Sequence, residues 1–469
     1  MKDFDYDPYP GSPRILFIGW PDSPHTHSWI ELLQDAKLNL RLFGLYSSEP
    51  PLDWPVKTYL TAPTIRRRRG PTRRKVFPPP TSSPYYAVYL YREAMGVGNL
   101  VPTSGLRGIL SGAAAVLDRV YAWKYPKSLE DALARVVHGW RPDIIHTLGF
   151  EAASYVYLSA RKRYGLGGIG RWIAQARGGP DLALNRHSPK YQSRISEVFA
   201  TCDHFIADSQ QNYDYALAAG LDSSKIADPG MGVVSGPGGL DLEALRARWS
   251  LPPSRRERIV VWPKAYEINS AKALPVFEAI LKAWDRIRPC RIEMLWMTQP
   301  EVQIWYDKLF PPEIKRCCPT HPRLSHEETI AHIARARVMM APSLSDGIPN
   351  TMTEAMALGA APLVSPLDTI VPVVREGENV LFARNLYPDE IAAALVRLMT
   401  DDALVDRLAA NNLVRIRELA DRDAVRARAI AYYEEVAALA RRGSPAARPG
   451  RRGKFSTLDP AAADRLLRE

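Results

Sequence analysis

The sequence predicts an α/β protein with two parallel-sheet lobes, and three observations predict it. Short apolar runs such as residues 14–20 (RILFIGW) and 338–341 alternate with stretches of helical periodicity, the pattern of buried strands joined by crossover helices. A glycine cluster at 230–239 (GMGVVSGPGG) divides the chain into two such series. At 469 residues the chain has the length of two or three domains.

Taken in order, residues 1–13 read as a flexible tail and 14–232 as the N-terminal lobe. Its first strand is 14–20, followed by a helix at 28–37 and a strand at 41–46. Residues 47–104 interrupt the rhythm with nine prolines between Pro50 and Pro84 and the run RRRRGPTRRK at 66–75, which reads as an irregular insertion. Helices are expected at 106–123 and 128–138, and strands at 142–147, 172–176 and 204–207. Residues 233–257 form the expected hinge. The second lobe, 258–418, begins with RIVVW at 258–262 and continues with a helix at 273–286, a strand at 292–297 and a helix at 327–336. It is completed by the strand 338–341, a helix at 352–358, a strand at 361–365 and helices at 388–400 and 403–419. A last helix reaches 440, and the Arg/Gly/Pro/Ala stretch 441–469 reads as a disordered basic tail.

Charge and cysteine content exclude several classes. The formal charge is +11. Residues 66–75 and 441–454 hold thirteen basic residues and no acid, and without them the chain carries 49 basic against 51 acidic residues. The body is therefore near neutral, and its aromatics do not interleave with a basic stripe, so no nucleic-acid partner is expected. No apolar stretch approaches the roughly 20 residues of a membrane span, and the N-terminus lacks the pattern of a secretory signal. Cys202, Cys290, Cys317 and Cys318 have no CxxC spacing, which argues against a zinc site and a disulfide framework and for a reducing, cytoplasmic location. No P-loop, no G-x-G-x-x-G after a strand and no G-x-S-x-G elbow is present.

The most informative segment is 342–359, PSLSDGIPNTMTEAMALG. A strand ends, a Gly/Pro turn follows, and a helix begins near Asn350, a residue type suited to the N-cap. Free amides at such a helix start, at the positive end of its dipole, suit a phosphate. Asp346 and Glu354 stand across that turn with seven residues between them.

This segment resembles the donor signature of retaining glycosyltransferases of the GT-B fold, the large family-4 (group 1) set. Glu354-Ala355-Met356-Ala357-Leu358-Gly359 fits its ending, and Asp346 stands where the family often has Glu. Lys264, after the strand VVWP, and Lys272-Ala273 resemble the family's Gly-Arg and Lys-Gly pair, with Lys for Arg and Ala for Gly. The segment from Arg323 and Leu324 to Glu328 resembles the loop before the donor motif, whose backbone faces the nucleobase. In the N-terminal lobe the strand PDIIH resembles the family's Asp-x-x-His, with Leu148 where a second histidine is usual, and Gly179-Pro180-Asp181 resembles Gly-Ser-Asp.

The resemblance implies two Rossmann-like lobes facing across a cleft, with a C-terminal crossover helix at 419–440. It implies a retaining, hexosyl-type glycosyltransferase that takes a UDP- or GDP-linked sugar as substrate, without a cofactor or metal, and a glycan or lipid-linked saccharide as acceptor. Lys264 and Lys272 would hold the diphosphate, Asp346 the sugar and Glu354 the ribose. Gly347, Ile348, Pro349, Asn350 and Thr351 would offer amides to the donor, with Arg323 and Leu324 at the base. Gly19, His25, His27, His146 and Asp181 are the acceptor-side candidates. The run at 66–75, on the acceptor lobe, is a candidate for peripheral contact with anionic membrane. Two other classes remain open: a catalytically inert GT-B protein acting as a binding or scaffold partner, and a nucleic-acid binder working through the arginine runs.

Overall fold

The computed structural model describes residues 9, 11–33, 35–45, 50–51, 54–60, 74–76, 128–177, 181–182, 185–226, 239–248, 251–268 and 270–443. Among them two parallel sheets form. The N-terminal sheet contains β1 (Arg14–Gly19), β2 (Asn39–Gly44), β3 (Lys57–Leu60), β4 (Arg74–Val76), β5 (Ile144–Leu148), β6 (Arg171–Ala176) and β7 (His204–Ala207), in the order β4-β3-β2-β1-β5-β6-β7. The C-terminal sheet contains β8 (Ile259–Trp262), β9 (Arg291–Met294), β10 (Val338–Ala341), β11 (Ala361–Val364) and β12 (Leu381–Phe382), in the order β12-β11-β10-β8-β9. Strands covered on both faces need apolar residues at successive positions, which is why Ile15, Leu16, Phe17 and Ile18 are all buried.

Helices cover the first sheet: α1 (Pro24–Glu31), α2 (Leu129–Trp140), α3 (Tyr155–Tyr164), α4 (Pro189–Thr201) and α5 (Gln210–Ala218). Ser128 starts α2 by accepting from the Asp131 amide at 3.2 Å, and Arg141 ends it in the left-handed region. The second lobe adds α6 (Leu242–Ala247), α7 (Leu274–Ile287), α8 (Pro300–Leu309), α9 (Pro312–Cys317), α10 (His326–Arg335), α11 (Asn350–Leu358), α12 (Pro388–Thr400) and α13 (Asp402–Ala420). Ser325 and Glu328 close a reciprocal capping box at the start of α10. The buried cations Arg256 and Arg337 pin strand ends to helix ends: Arg256 donates to the carbonyls of Ala336 and Leu358, and Arg337 to that of Leu398.

In both sheets the chain reverses direction once. From β1 it runs outward to β4, then returns to β5 on the other side of β1. From β8 it steps to β9, then returns to β10 on the other side of β8. Such switch points open crevices beyond the carboxyl ends of the strands, where ligands of α/β folds bind.

The stretch 47–104 is corrected by the structure. It is not wholly irregular, because β3 and β4 lie within it, paired parallel to β2 and to each other. The prolines flank KTYL rather than interrupt it, and the buried β3 pairs a full strand despite the composition around it. Apart from residues 50–51 and 54–56, the rest of that stretch lies outside the described residues, as do the expected helix at 106–123 and most of both tails.

Of the expected hinge at 233–257, residues 233–238 lie outside the described residues, and the part that follows carries α6. Gly239 adopts φ +90°, and a Cβ there would meet the Arg422 Cα at 2.7 Å. The next residue, Leu240, donates to the Ala420 carbonyl at 2.6 Å and accepts from the Arg422 amide at 3.1 Å. There the chain enters α14 (Arg422–Gly443), the expected crossover helix, which returns to the first lobe. Tyr433 on α14 accepts from Trp29 Nε1 at 2.8 Å, and its hydroxyl lies 2.6 Å from His146 Nδ1. Arg426 Nε donates to the Leu32 carbonyl at 3.1 Å.

Candidate functional site

At the switch point of the second sheet, β8 continues past Trp262 through two backbone bonds with Leu295, from Leu295 N to Trp262 O and from Ala265 N to Leu295 O. This fixes Lys264 beyond the strand end. Its Nζ bonds Asp346 Oδ2 at 2.5 Å, with about a quarter of either side chain exposed. Burial alone would lower the lysine pKa. The negative charge of Asp346, with Tyr266 and Glu354 beyond it, outweighs that and holds Lys264 above its ordinary value. The fold thus brings Lys264, Asp346 and Glu354 together.

Lys272 sits on the same loop, its Nζ 2.7 Å from Glu267 Oε1. The side chain of Asn385, 1% exposed, accepts from Lys272 N at 2.8 Å and donates to the carbonyls of Lys272 and Pro342 at 3.0 and 3.1 Å. One amide therefore ties the lysine loop to the end of β10. Nothing in the spacing of Asn385 marks it for this, and Glu267 was likewise missed.

The donor-motif loop is held by Ser270, whose carbonyl accepts from Leu344 N at 2.7 Å, and by Thr369, whose hydroxyl donates to the Asp346 carbonyl at 2.9 Å. Asp346 Oδ1 accepts from the Gly347 amide at 2.9 Å. The expectation that Asn350 caps α11 is corrected: Pro349 occupies the N-cap position, no side chain caps the helix, and Asn350 is its first residue. Proline's fixed φ suits the turn, and its side chain has no acceptor to offer the amides behind it. The amides of Asn350 and Thr351, at the positive end of the helix dipole, are thus left without a side-chain cap. Beside them, Thr351 Oγ1 is buried without a hydrogen-bond partner. Ile348 packs against the core.

Glu354 is 4% exposed, and its Oε1 lies 2.7 Å from His326 Nε2, on the first turn of α10. That bond raises the His326 pKa, against a smaller opposing effect of burial. Nearby, Trp296 holds φ +64°, unusual for a bulky residue. Its indole meets Tyr266 edge-on at 5.4 Å and carries the Arg323 guanidinium 4.9 Å above the ring. Leu324 packs against the core. The aromatic pair and His326 were not singled out in the sequence, since no spacing signal marks them.

In the first lobe the candidates separate. Gly19 ends β1 where a Cβ would lie 3.2 Å from the Leu148 Cβ, so close packing accounts for it. His25 is exposed. His27 donates through Nε2 to the Pro21 carbonyl at 2.6 Å, and its ring lies tilted over Trp54 with the centroids 4.6 Å apart. His146 is fully buried. Its Nδ1 shares a hydrogen bond with the Tyr433 hydroxyl, which also accepts from Trp29, and its Nε2 is buried without a partner. Burial first, then the Arg177 charge, lowers the His146 pKa. Asp181 turns its oxygens to the amides of Phe150, Glu151 and Arg177 at 2.6, 2.8 and 2.9 Å. Gly19, His27, His146 and Asp181 are thus all held by the scaffold.

The residue missed is Glu151, just beyond the end of β5 at the switch point. It is partly buried, and its Oε1 has no hydrogen-bond partner. Burial and the Asp181 charge push its pKa up to about 7, although the amides of Leu182 and Asn185 oppose the shift. Tyr155 Oη and Arg177 Nη2, both electrostatically coupled to Asp181, are also buried without partners. Such a run of unsatisfied polar atoms at a strand-end crevice is what a hydroxyl-rich ligand would satisfy.

Residues 276–401 match the family model described as Glycosyl transferases group 1. The D-inositol 3-phosphate glycosyltransferase of a Nocardioides species is 32% identical over 96 residues, 20% of this chain and 21% of that protein. The chain thus aligns with about a fifth of the length of the curated relative it matches. Among solved structures, the sucrose-phosphate synthase of Thermosynechococcus elongatus is similar with a TM-score of 0.60 at 15% identity, covering 91% of this chain and 100% of that one. The Anabaena protein HepE, solved with UDP and glucose, is similar with a TM-score of 0.57 at 11% identity, over 90% and 100%. Among the described residues no helix is long and apolar enough to cross a membrane. The chain has the GT-B fold, and its resemblance to the group 1 glycosyltransferases is borne out in its C-terminal lobe.

Proposed function

We propose that the protein is a glycosyltransferase that moves a hexosyl-type sugar from a nucleotide-diphosphate sugar to a glycan or lipid-linked saccharide, with retention and without a catalytic metal. The observation that carries this reading is the convergence of Lys264, Asp346 and Glu354 on the uncapped start of α11. An entering diphosphate competes with Asp346 for Lys264. The lysine and the α11 amides then take up the charge that builds on the departing phosphate, the task a metal performs elsewhere. Freed from the lysine, Asp346 accepts from the sugar hydroxyls, and Glu354 accepts from the ribose. The acceptor enters over Glu151, and same-face attack passes its proton to the leaving phosphate. The UDP and glucose found in the similar Anabaena structure support a uridine donor.

The test is a thermal-shift screen against UDP, GDP and their common sugars, followed by turnover assays. A ligand that binds only the folded chain raises its melting temperature by mass action. Lys264→Ala and Glu354→Ala should each abolish most donor-dependent turnover, and undiminished turnover in both would overturn the assignment. The pairing of both lysines with carboxylates favours one other reading, an inert binding protein. Nucleotide binding without hydrolysis or transfer from any sugar would select it. The basic run at 66–75, most of which lies outside the described residues, is proposed to touch anionic membrane. Co-sedimentation with anionic liposomes, lost when the run is neutralised, tests that contact.

A further inference from the structure

A cluster outside the donor site has the chemistry of a metal centre. Glu293 lies on β9, the edge strand of the second sheet, where Ile292 and Met294 fill the core. The intervening Glu293 is 3% exposed. Its Oε2 lies 2.6 Å from His321 Nε2, and its Oε1 accepts from Arg291 Nε at 2.5 Å. His332, from α10, brings its ring within 4.9 Å of that of His321. One ligand atom from each of Glu293, His321 and His332 falls within 4.8 Å of the others.

We infer that Glu293, His321 and His332 form a site for a divalent transition metal of the zinc type. Two imidazoles and one carboxylate are a usual three-ligand zinc set, with water in the fourth position. Bond lengths of about 2.0–2.2 Å place tetrahedral ligands about 3.3 Å apart. The histidine–glutamate pair must therefore open slightly while His332 draws in. On binding, the ion replaces any proton on the ligating nitrogens and that proton leaves to solvent, with no change of oxidation state. Half of the Arg291 side chain is exposed, so it can swing from the ion while holding Oε1 or leave it altogether. Four cysteines without CxxC spacing pointed away from zinc, but this set uses none of them.

The site is structural and independent of the proposed transfer chemistry. It joins β9 to the loop 320–323 and to α10. Backbone bonds from Trp296 N to Pro322 O and from Met297 N to His321 O already lace that loop to the turn carrying Trp296.

The experiment uses the full chain stripped with EDTA and titrated with Zn²⁺ calorimetrically, and with Co²⁺ by visible absorption. One zinc equivalent per chain, a raised melting temperature and cobalt bands of four- or five-coordinate nitrogen and oxygen ligation are expected. His321→Gln and His332→Gln should each weaken zinc binding by at least the 10–100-fold that losing an outer-shell partner costs, with an unchanged far-ultraviolet circular dichroism spectrum as the check on folding. Absence of a cobalt spectrum in the wild type, or equal zinc uptake by the H321Q/H332Q double variant, would overturn the site.

Discussion

Lys264 and Asp346 form an ion pair, and separating the two charges tests whether this contact gates the proposed nucleotide. At a charge separation of about 4 Å and an effective dielectric near 20, such a pair attracts by about 4 kcal/mol. Either side chain is about a quarter exposed, and desolvation takes back much of the attraction, leaving a net coupling of about 1–2 kcal/mol in stability. Lys264→Met removes the cation and leaves Asp346 facing the diphosphate. UDP binding should then weaken at least tenfold, and kcat/KM should fall by about 2–4 kcal/mol, the range for removing one oxyanion donor. Asp346→Asn frees the lysine, so UDP should bind as tightly as before or more tightly, while turnover of the sugar donor drops. Calorimetry with UDP and denaturant unfolding of both single variants and the double variant supply the cycle. If Asp346→Asn weakens UDP as much as Lys264→Met does, or if the stabilities add within about 0.3 kcal/mol, the competition between carboxylate and diphosphate is refuted.

Other expectations follow from single contacts. A folded-state pKa of Glu151 near 7 lies above its unfolded value, so the folded chain binds more protons between about pH 4.5 and 7 and wild-type stability falls as pH rises through that window. Glu151→Gln should therefore melt higher than wild type at pH 8 and converge with it near pH 4.5; parallel curves would contradict the burial argument. Asn385→Ala leaves three polar partners near the Lys272 loop unsatisfied and should cost about 2–4 kcal/mol in unfolding free energy, with UDP binding weakened as well. Tyr433→Phe breaks the bonds to Trp29 and His146 and should lower stability by about 1–3 kcal/mol in denaturant titrations. Proton NMR should show His326 titrating above 6.5 in the wild type and nearer that value in Glu354→Gln.

Much of the fold was legible because buried parallel strands must be apolar along their length. The runs at 14–20, 338–341 and 204–207 all became strands. What hid were elements whose local composition points elsewhere: β4 contains Arg74 and Lys75 of the basic run, and α4, with PKYQSR as its first turns, has few apolar positions to set a period. The grouping of Lys264, Asp346 and Glu354 was legible because their order along the chain is a motif. Their restraints were not, since Asn385 lies 113 positions from Lys272 and His326 lies 28 from Glu354. Pairings made only by folding leave no spacing to read. Glu151 was hidden for a related reason: its carboxyl is set apart by what encloses it, and enclosure is not a sequence property.

The backbone passes between the lobes twice, and Leu240 hydrogen-bonds to both sides of the second passage, at Ala420 and Arg422. Among the described residues, the start of the second lobe and the entry to α14 are thus joined at one point. A relative movement of the lobes that kept these bonds would turn about that point, carrying α14 and Tyr433 with the first lobe. A side chain added at Gly239 would meet Arg422 at this junction, altering how the halves are held while leaving the residues of the candidate site chemically intact.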